Sequence, residues 1–254
     1  MKIYELIKEG VEHDHAIMSI AHQLARVFYK QRDELIQKIL THNRAHLGKV
    51  RDFTNFESED PFVQDLLDLD VWLDEEERGG SQAAYIPGTY GPEKGQKKFK
   101  QVSGDVLIQP NMLYDIDQCL LVLSHELRHA LDDIKSKSKA INYVGTRKKD
   151  NDYYTKRADP EDEWSTPAEL NAILYNVMAT IKINIEAEYK DAVKDGYELD
   201  NNDLLEIIKN ALEADDSHGQ RIMSHSKGEK HKRIMSRLTQ YAQHLLQGLK
   251  NANR

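Results

Sequence analysis

The chain has 254 residues, of which 39% are hydrophobic and 31% are charged. Such a composition is typical of a folded protein with one large domain or two small ones. No apolar run approaches the roughly 20 residues that a membrane-spanning helix needs, and a formal net charge of −8 argues against nucleic-acid binding by the whole surface. The single cysteine, Cys119, excludes an internal disulfide framework.

The first 50 residues are predicted to be mainly helical. Residues 1–10 carry acidic side chains and lack a long apolar core, so they do not form a secretory signal. Residues 14–46 repeat apolar side chains at spacings of three and four, which indicates a helix. Residues 7–10, Ile-Lys-Glu-Gly, also resemble the processing site that ends the leaders of internal head proteins of T-even-type bacteriophages. That resemblance implies packaging in a phage head, whereas the plain interpretation is an ordinary helix start.

A linker at residues 52–61 precedes an acidic segment, residues 62–77, which is predicted to be helical. Residues 79–110 differ in kind, because glycine and proline interrupt short apolar runs. The runs at residues 83–86 and 106–108 predict two or three strands of a small sheet.

Residues 115–134 are predicted to form a buried helix that contains the pattern His-Glu-x-x-His at His125, Glu126 and His129. Residues four apart lie on one face of a helix, so the two imidazoles can bind one divalent metal ion. Glu126 can act on a water molecule without occupying a coordination position itself. These are the components of a zinc hydrolase. Two core histidines that satisfy their polar groups within the protein are the alternative.

Residues 125–133, His-Glu-Leu-Arg-His-Ala-Leu-Asp-Asp, resemble the active-site helix of the zincin metallopeptidases. The resemblance implies an α+β, predominantly helical fold, with a small twisted sheet upstream of the motif helix and a helical C-terminal part. It also implies one Zn²⁺ ion and hydrolysis of peptide bonds in a peptide or protein substrate. In that arrangement the strand just before the motif helix, at residues 104–109, would border the cleft and pair with an extended substrate through its free edge.

A third ligand is needed, because zinc in a catalytic site usually takes three protein ligands. Glu169 is the predicted one. It lies at the start of a helix predicted at residues 167–190, and residues 169–172, Glu-Leu-Asn-Ala, resemble the Glu-x-x-Ala stretch of the gluzincin branch. In the alternative interpretation, Thr166 caps this helix and Glu169 completes a capping box.

Two other acidic residues compete with Glu169. Asp150 lies within residues 145–154, which resemble the Gly-Thr-x-Asp-x-x-Tyr stretch of aspartate-liganded zincins, although the spacing here is longer. Asp133 lies one helical turn beyond His129, where it could bind the metal or orient a histidine. No third histidine follows at the metzincin spacing, which excludes that branch.

The C-terminal part, residues 200–254, is predicted to add helices at residues 204–212 and 230–249 with a polar connector at residues 217–229. Its basic side chains indicate a solvated helix face, and contact with nucleic acid or an acidic scaffold is the alternative. We expect a single catalytic domain over residues 1–254, without a membrane segment, in the cytoplasm or in the interior of a virion.

The predicted function is a zinc-dependent metallopeptidase in which Glu126 is the general base for a metal-activated water. Arg147, Tyr153, Tyr154 or a C-terminal histidine could stabilise the oxyanion. The alternatives are a non-catalytic zincin-like protein that binds or builds a structure, and a hydrolase of non-peptide amide bonds.

Overall fold

The computed structural model describes residues 3–39, 44–75, 82–86, 90–92, 99–101, 104–142, 166–214 and 218–253. The chain divides into two compact units. Met1–Met18 and Tyr153–Arg254 form one of them, which we call the helical unit, and Ser19–Asp152 form the other, the mixed unit. The single catalytic domain over residues 1–254 stays a prediction. The fold class is α+β and predominantly helical, as predicted.

Helix α1 (Ile3–Ile39) contributes residues to both units. Within the mixed unit its apolar stripe is deeply buried, because Ile20, Leu24, Phe28 and Leu35 are at most 1% exposed. The helix predicted at residues 14–46 therefore exists but begins and ends earlier. Residues 44–49 form a strand, so the prediction of helix was wrong for residues 44–46. A helical period gives no signal for where pairing with a distant strand begins.

The mixed unit contains a sheet of four described strands in the order β1-β2-β6-β3. Strands β2 and β6 are parallel, and the other two neighbouring pairs are antiparallel. A separate antiparallel pair is formed by β4 and β5. The bounds are β1 (Arg44–Lys49), β2 (Asp70–Asp74), β3 (Ala83–Ile86), β4 (Tyr90–Pro92), β5 (Phe99–Gln101) and β6 (Asp105–Ile108).

The inner face of this sheet is apolar. Val71 and Leu73 of β2 lie beside Val106 and Ile108 of β6, and all four are at most 1% exposed. Helix α2 (Pro61–Leu67) contacts α3 (Ile116–Asn142), which in turn contacts β3. The expected helix at residues 62–77 thus stops at Leu67. Residues 70–74 were predicted wrongly, because they pair with β6 and bury alternate side chains as a strand does.

Strand β3 lies at the end of the sheet among the described residues, and β6 does not. Strand β6 is flanked by β2 on one side and by β3 on the other. The expectation that residues 104–109 present a free edge is therefore wrong. The strand order could not be read from the sequence, because β3 precedes β6 in the chain but pairs outside it.

The helical unit packs its helices around α4 (Pro167–Asp195), which contacts each of the helices that follow it. These helices are α5 (Asn201–Glu213), α6 (His218–Ser224) and α7 (Glu229–Ala252). The predicted helices at residues 167–190, 204–212 and 230–249 are confirmed. The predicted connector at residues 217–229 instead contains α6. Gly219 allows close packing there, because a Cβ atom on it would lie 2.4 Å from the Leu212 carbonyl oxygen.

No helix within the described ranges is long and apolar enough to cross a membrane. Cys119 is a small residue of the core. It is 1% exposed, and burial is the main cause that raises the pKa of its thiol to about 12. The thiol is therefore protonated at neutral pH.

A buried ionic cluster connects three helices of the helical unit. The Asp14 carboxylate of α1 is 2% exposed. It accepts a hydrogen bond from Arg237 Nε of α7 at 2.6 Å, a second one from the same guanidinium, and one from the Tyr175 hydroxyl of α4. Because an unpaired buried charge is costly, this pairing holds the three helices in one register.

We expect Arg237→Ala to lower the free energy of unfolding by about 3 kcal/mol, because it leaves the Asp14 carboxylate buried without its bidentate partner. Arg233→Ala is the matched control, since Arg233 is exposed on the same helix and its loss should cost less than about 0.5 kcal/mol. Urea unfolding followed by circular dichroism measures both. Equal stability of the two variants would contradict a stabilising role for the cluster.

Candidate metal centre

The motif helix α3 begins at a side-chain cap and buries one face. The Asp115 carboxylate accepts hydrogen bonds from the backbone N–H groups of Asp117 at 2.9 Å and Gln118 at 3.0 Å, which satisfies two of the open donors at the helix start. The helix predicted at residues 115–134 is thus confirmed and extends to Asn142. Its fully buried side chains include Leu123, Leu127, Ala130 and Leu131. His125, Glu126 and His129 are half-buried at the margin of this apolar face.

The two histidines present their Nε2 atoms to each other. The distance between His125 Nε2 and His129 Nε2 is 3.0 Å, the ring centroids are 4.7 Å apart, and the ring planes meet at 72°. Two Zn–N bonds of 2.0–2.1 Å at a tetrahedral angle would separate the nitrogens by about 3.3 Å. The spacing of the two rings therefore fits one shared cation with a small adjustment. It also fits a hydrogen bond in which one Nε2 carries a proton.

The general-base candidate is connected to the end strand of the sheet. The backbone N–H of Tyr85 in β3 donates to Glu126 Oε2 at 2.6 Å. The side chain of Glu126 thus lies between α3 and β3, next to the first histidine in the chain. The carboxylate is held by a main-chain donor, which fixes its position more firmly than a mobile side chain would.

The two aspartates that follow the motif have different partners. Asp132 forms an i,i+4 ion pair with Arg128, whose Nε donates to Asp132 Oδ2 at 3.1 Å. Asp133 Oδ2 instead accepts a hydrogen bond from the Tyr85 hydroxyl at 2.7 Å. Asp133 was a rival for the third ligand. Its bond to Tyr85 makes it a partner of the strand that also holds Glu126.

Glu169 takes part in the cap at the start of α4 through its backbone. Thr166 is the N-cap, Pro167 occupies the first helical position, and the Thr166 hydroxyl accepts the backbone N–H of Glu169 at 3.2 Å. This bond uses the main chain of Glu169, so it does not engage the carboxylate. The cap interpretation and the ligand interpretation are therefore compatible, which the sequence had not indicated.

Several predicted site residues lie outside the described residues. These are the third-ligand rival Asp150 and the oxyanion candidates Arg147, Tyr153 and Tyr154. Tyr85 was not predicted as a site residue, because in the sequence it is only part of a short apolar run. Nothing in the local pattern indicates that its backbone and its hydroxyl both bond to α3.

No protein-family model matches this chain, and comparisons with curated proteins and with solved structures find no match either. The interpretation of the centre therefore rests on its residues and their geometry.

Zinc should bind the wild-type protein and raise its melting temperature, and His129→Ala should abolish both effects because one of two facing ligands is lost. A metal present at about 1,000 times its dissociation constant adds roughly 4 kcal/mol of stability. Bound zinc is measured by atomic emission after gel filtration, and stability is measured by thermal unfolding.

The matched control is His46→Ala. His46 lies on the outer face of the sheet beside Trp72 and Asp70, and its loss should leave zinc binding unchanged. Zinc retained at wild-type affinity in His129→Ala would contradict the assignment.

Proposed function

We propose that this protein is a zinc-dependent metallopeptidase that uses Glu126 as its general base. The observation that carries the proposal is the 3.0 Å approach of His125 Nε2 to His129 Nε2 with the Glu126 carboxylate anchored beside them. A zinc peptidase requires this division of labour, in which ligands hold the metal and a neighbouring carboxylate stays outside its coordination sphere.

We infer that His125, His129 and Glu169 would hold one Zn²⁺ ion. The support is that the two imidazoles face each other through their Nε2 atoms and that residues 169–172 resemble the third-ligand stretch of the gluzincin branch. Two imidazoles and one carboxylate form a common donor set of catalytic zinc sites. When bound, Zn²⁺ supplies Lewis-acid polarisation of the substrate carbonyl and of water.

The chain's own residues then account for the movement of the proton. The attacking water forms a bond to the peptide carbonyl carbon, and Glu126 accepts the proton that the water loses. Glu126 later gives this proton to the amide nitrogen, and the carbon–nitrogen bond breaks to release a free amine and a carboxylic acid, whose remaining proton passes to the amine or to solvent. Glu126 Oε2 is the oxygen held by Tyr85, so Oε1 is the oxygen that carries the proton.

For location we propose the cytoplasm, or the interior of a virion if residues 7–10 are a processing site. Helix α1 continues without a break through these residues, which agrees with the plain interpretation of a helix start. A non-catalytic zincin-like protein, packaged or not, is the alternative function. It differs from the proposed one in binding zinc without cleaving any peptide bond.

Glu126→Gln should lower the cleavage rate by about 10²–10⁴-fold and leave the zinc content at one ion per chain, because it removes the proton acceptor but no ligand. The substrate is a fluorescently labelled denatured protein, assayed with and without a chelator. Glu188→Gln is the control, since Glu188 is exposed on α4. Full activity in Glu126→Gln would rule out this mechanism, and zinc binding without any cleavage by the wild type would favour the non-catalytic alternative.

Glu169→Ala and Thr166→Ala separate the ligand role from the cap role at the start of α4. Loss of the ligand should weaken zinc binding by at least the 10–100-fold that is typical for loss of a ligand's supporting partner. Loss of the cap should cost about 1 kcal/mol of stability and leave zinc affinity unchanged. Competition with a chromophoric chelator measures the affinities. Unchanged zinc affinity in Glu169→Ala would exclude Glu169 as the third ligand.

A further inference from the structure

Tyr85 joins β3 to α3 through two separate hydrogen bonds. Its backbone N–H donates to Glu126 Oε2 at 2.6 Å, and its hydroxyl donates to Asp133 Oδ2 at 2.7 Å. Glu126 and Asp133 are seven residues apart, which places them on one side of the helix about 10 Å from each other along its axis. One residue of the strand therefore fixes the distance between the strand and the motif helix at two points about two helical turns apart.

The register of the sheet determines where the Tyr85 amide points. Ala84 lies opposite Leu107, and the N–H of Gln109 donates to the Gln82 carbonyl at 3.0 Å. In an antiparallel pair the residues that bond to the neighbouring strand alternate with those that do not. Residues 82 and 84 therefore face β6, whereas the N–H of Tyr85 points away from it. This alternation leaves the Tyr85 N–H free of β6, so that it can donate to the Glu126 carboxylate.

The ring of Tyr85 packs closely against Gly104. A Cβ atom on Gly104 would lie 2.5 Å from Tyr85 Cε2 and 2.6 Å from its hydroxyl oxygen, closer than real contacts allow. The absence of a side chain at Gly104 is what admits the ring at this position. With Gly104 beneath it and Asp133 at its hydroxyl, the side chain has little freedom to move.

We propose that Tyr85 is a positioning residue for the general base. This inference rests on the proposed function, because a base needs a defined position only if it transfers a proton. The Tyr85–Asp133 bond holds β3 at the distance from α3 at which the outward N–H meets Glu126 Oε2. The bond to Oε2 orients the carboxylate and leaves Oε1 to accept and return the proton.

Tyr85→Phe tests the inference, because it removes the hydroxyl and keeps both the ring and the backbone N–H. A shift of about 1 Å at a reacting group can cost roughly 100-fold in rate, so we expect kcat to fall about tenfold while KM and zinc content stay within twofold of wild type. Tyr114→Phe is the matched control, since Tyr114 is 59% exposed. Its kinetic constants should equal those of wild type.

A second readout does not depend on activity. In the zinc-free, ¹⁵N-labelled protein the amide proton of residue 85 should move upfield in Glu126→Gln, because a neutral acceptor replaces the carboxylate. It should also move upfield in Tyr85→Phe, where the strand is no longer held by Asp133, and it should not move in Tyr114→Phe.

The outcomes separate this inference from the function it rests on. If the wild type cleaves no peptide but the residue 85 amide moves as expected, the proposed function fails and the bond to Glu126 stands. If the wild type is active and Tyr85→Phe has wild-type kcat, or loses only thermal stability, the positioning role is overturned. Should Tyr85→Phe not fold, Asp133→Leu, which cannot accept a hydrogen bond from the Tyr85 hydroxyl, must lower kcat in the same way, and wild-type kcat in that variant overturns the inference.

Discussion

The 3.0 Å approach of His125 Nε2 to His129 Nε2 is the contact on which the account of this protein depends. Two neutral imidazoles that face each other through unprotonated nitrogens repel, so a proton or a cation must lie between them. Helix α3 imposes this arrangement, because residues four apart are stacked on one face and the buried residues beside them fix the rotation of the helix. The pair is thus a consequence of how the helix packs.

The end strand of the sheet also holds Glu126, the proposed general base. Strand β3 pairs with β6 on one side, and on the other side its Tyr85 N–H meets Glu126 of α3. A main-chain donor orients a carboxylate firmly, because the direction of the N–H is set by the hydrogen-bonding register of the strand and not by a side-chain rotamer. The same strand binds Asp133 through the Tyr85 hydroxyl, so helix and strand are held at two points.

The parts of the fold that the sequence predicted are those with a strong local period. The motif helix, α4 and the two longer C-terminal helices follow from apolar residues at spacings of three and four, and the start of α4 follows from Thr166 and Pro167. Residues 70–74 were predicted as helix because an acidic segment with scattered apolar residues does not reveal its partner β6. Helix α6 was missed because a seven-residue polar helix is specified by its packing against Leu212, not by its own pattern.

The residues of the candidate site likewise differ in whether the sequence could identify them. His125, Glu126 and His129 could be identified because their spacing is itself the chemical signal. Tyr85 could not, because its role depends on the order of the strands, and pairing between β3 and β6 spans about twenty residues of intervening chain. Glu169 was predicted through a resemblance. That its cap bond and the proposed ligand role are compatible becomes plain only once the donor to Thr166 is known to be its backbone N–H.

Anomalous X-ray scattering at the zinc absorption edge, from crystals grown with zinc, would locate the metal relative to His125 and His129. The account predicts one anomalous peak about 2.0–2.1 Å from both His125 Nε2 and His129 Nε2, with a carboxylate oxygen of Glu169 as a third ligand and the Glu126 carboxylate outside the first shell. Absence of a peak at the two histidines in zinc-supplemented crystals, or a peak bound directly by Glu126, would contradict it.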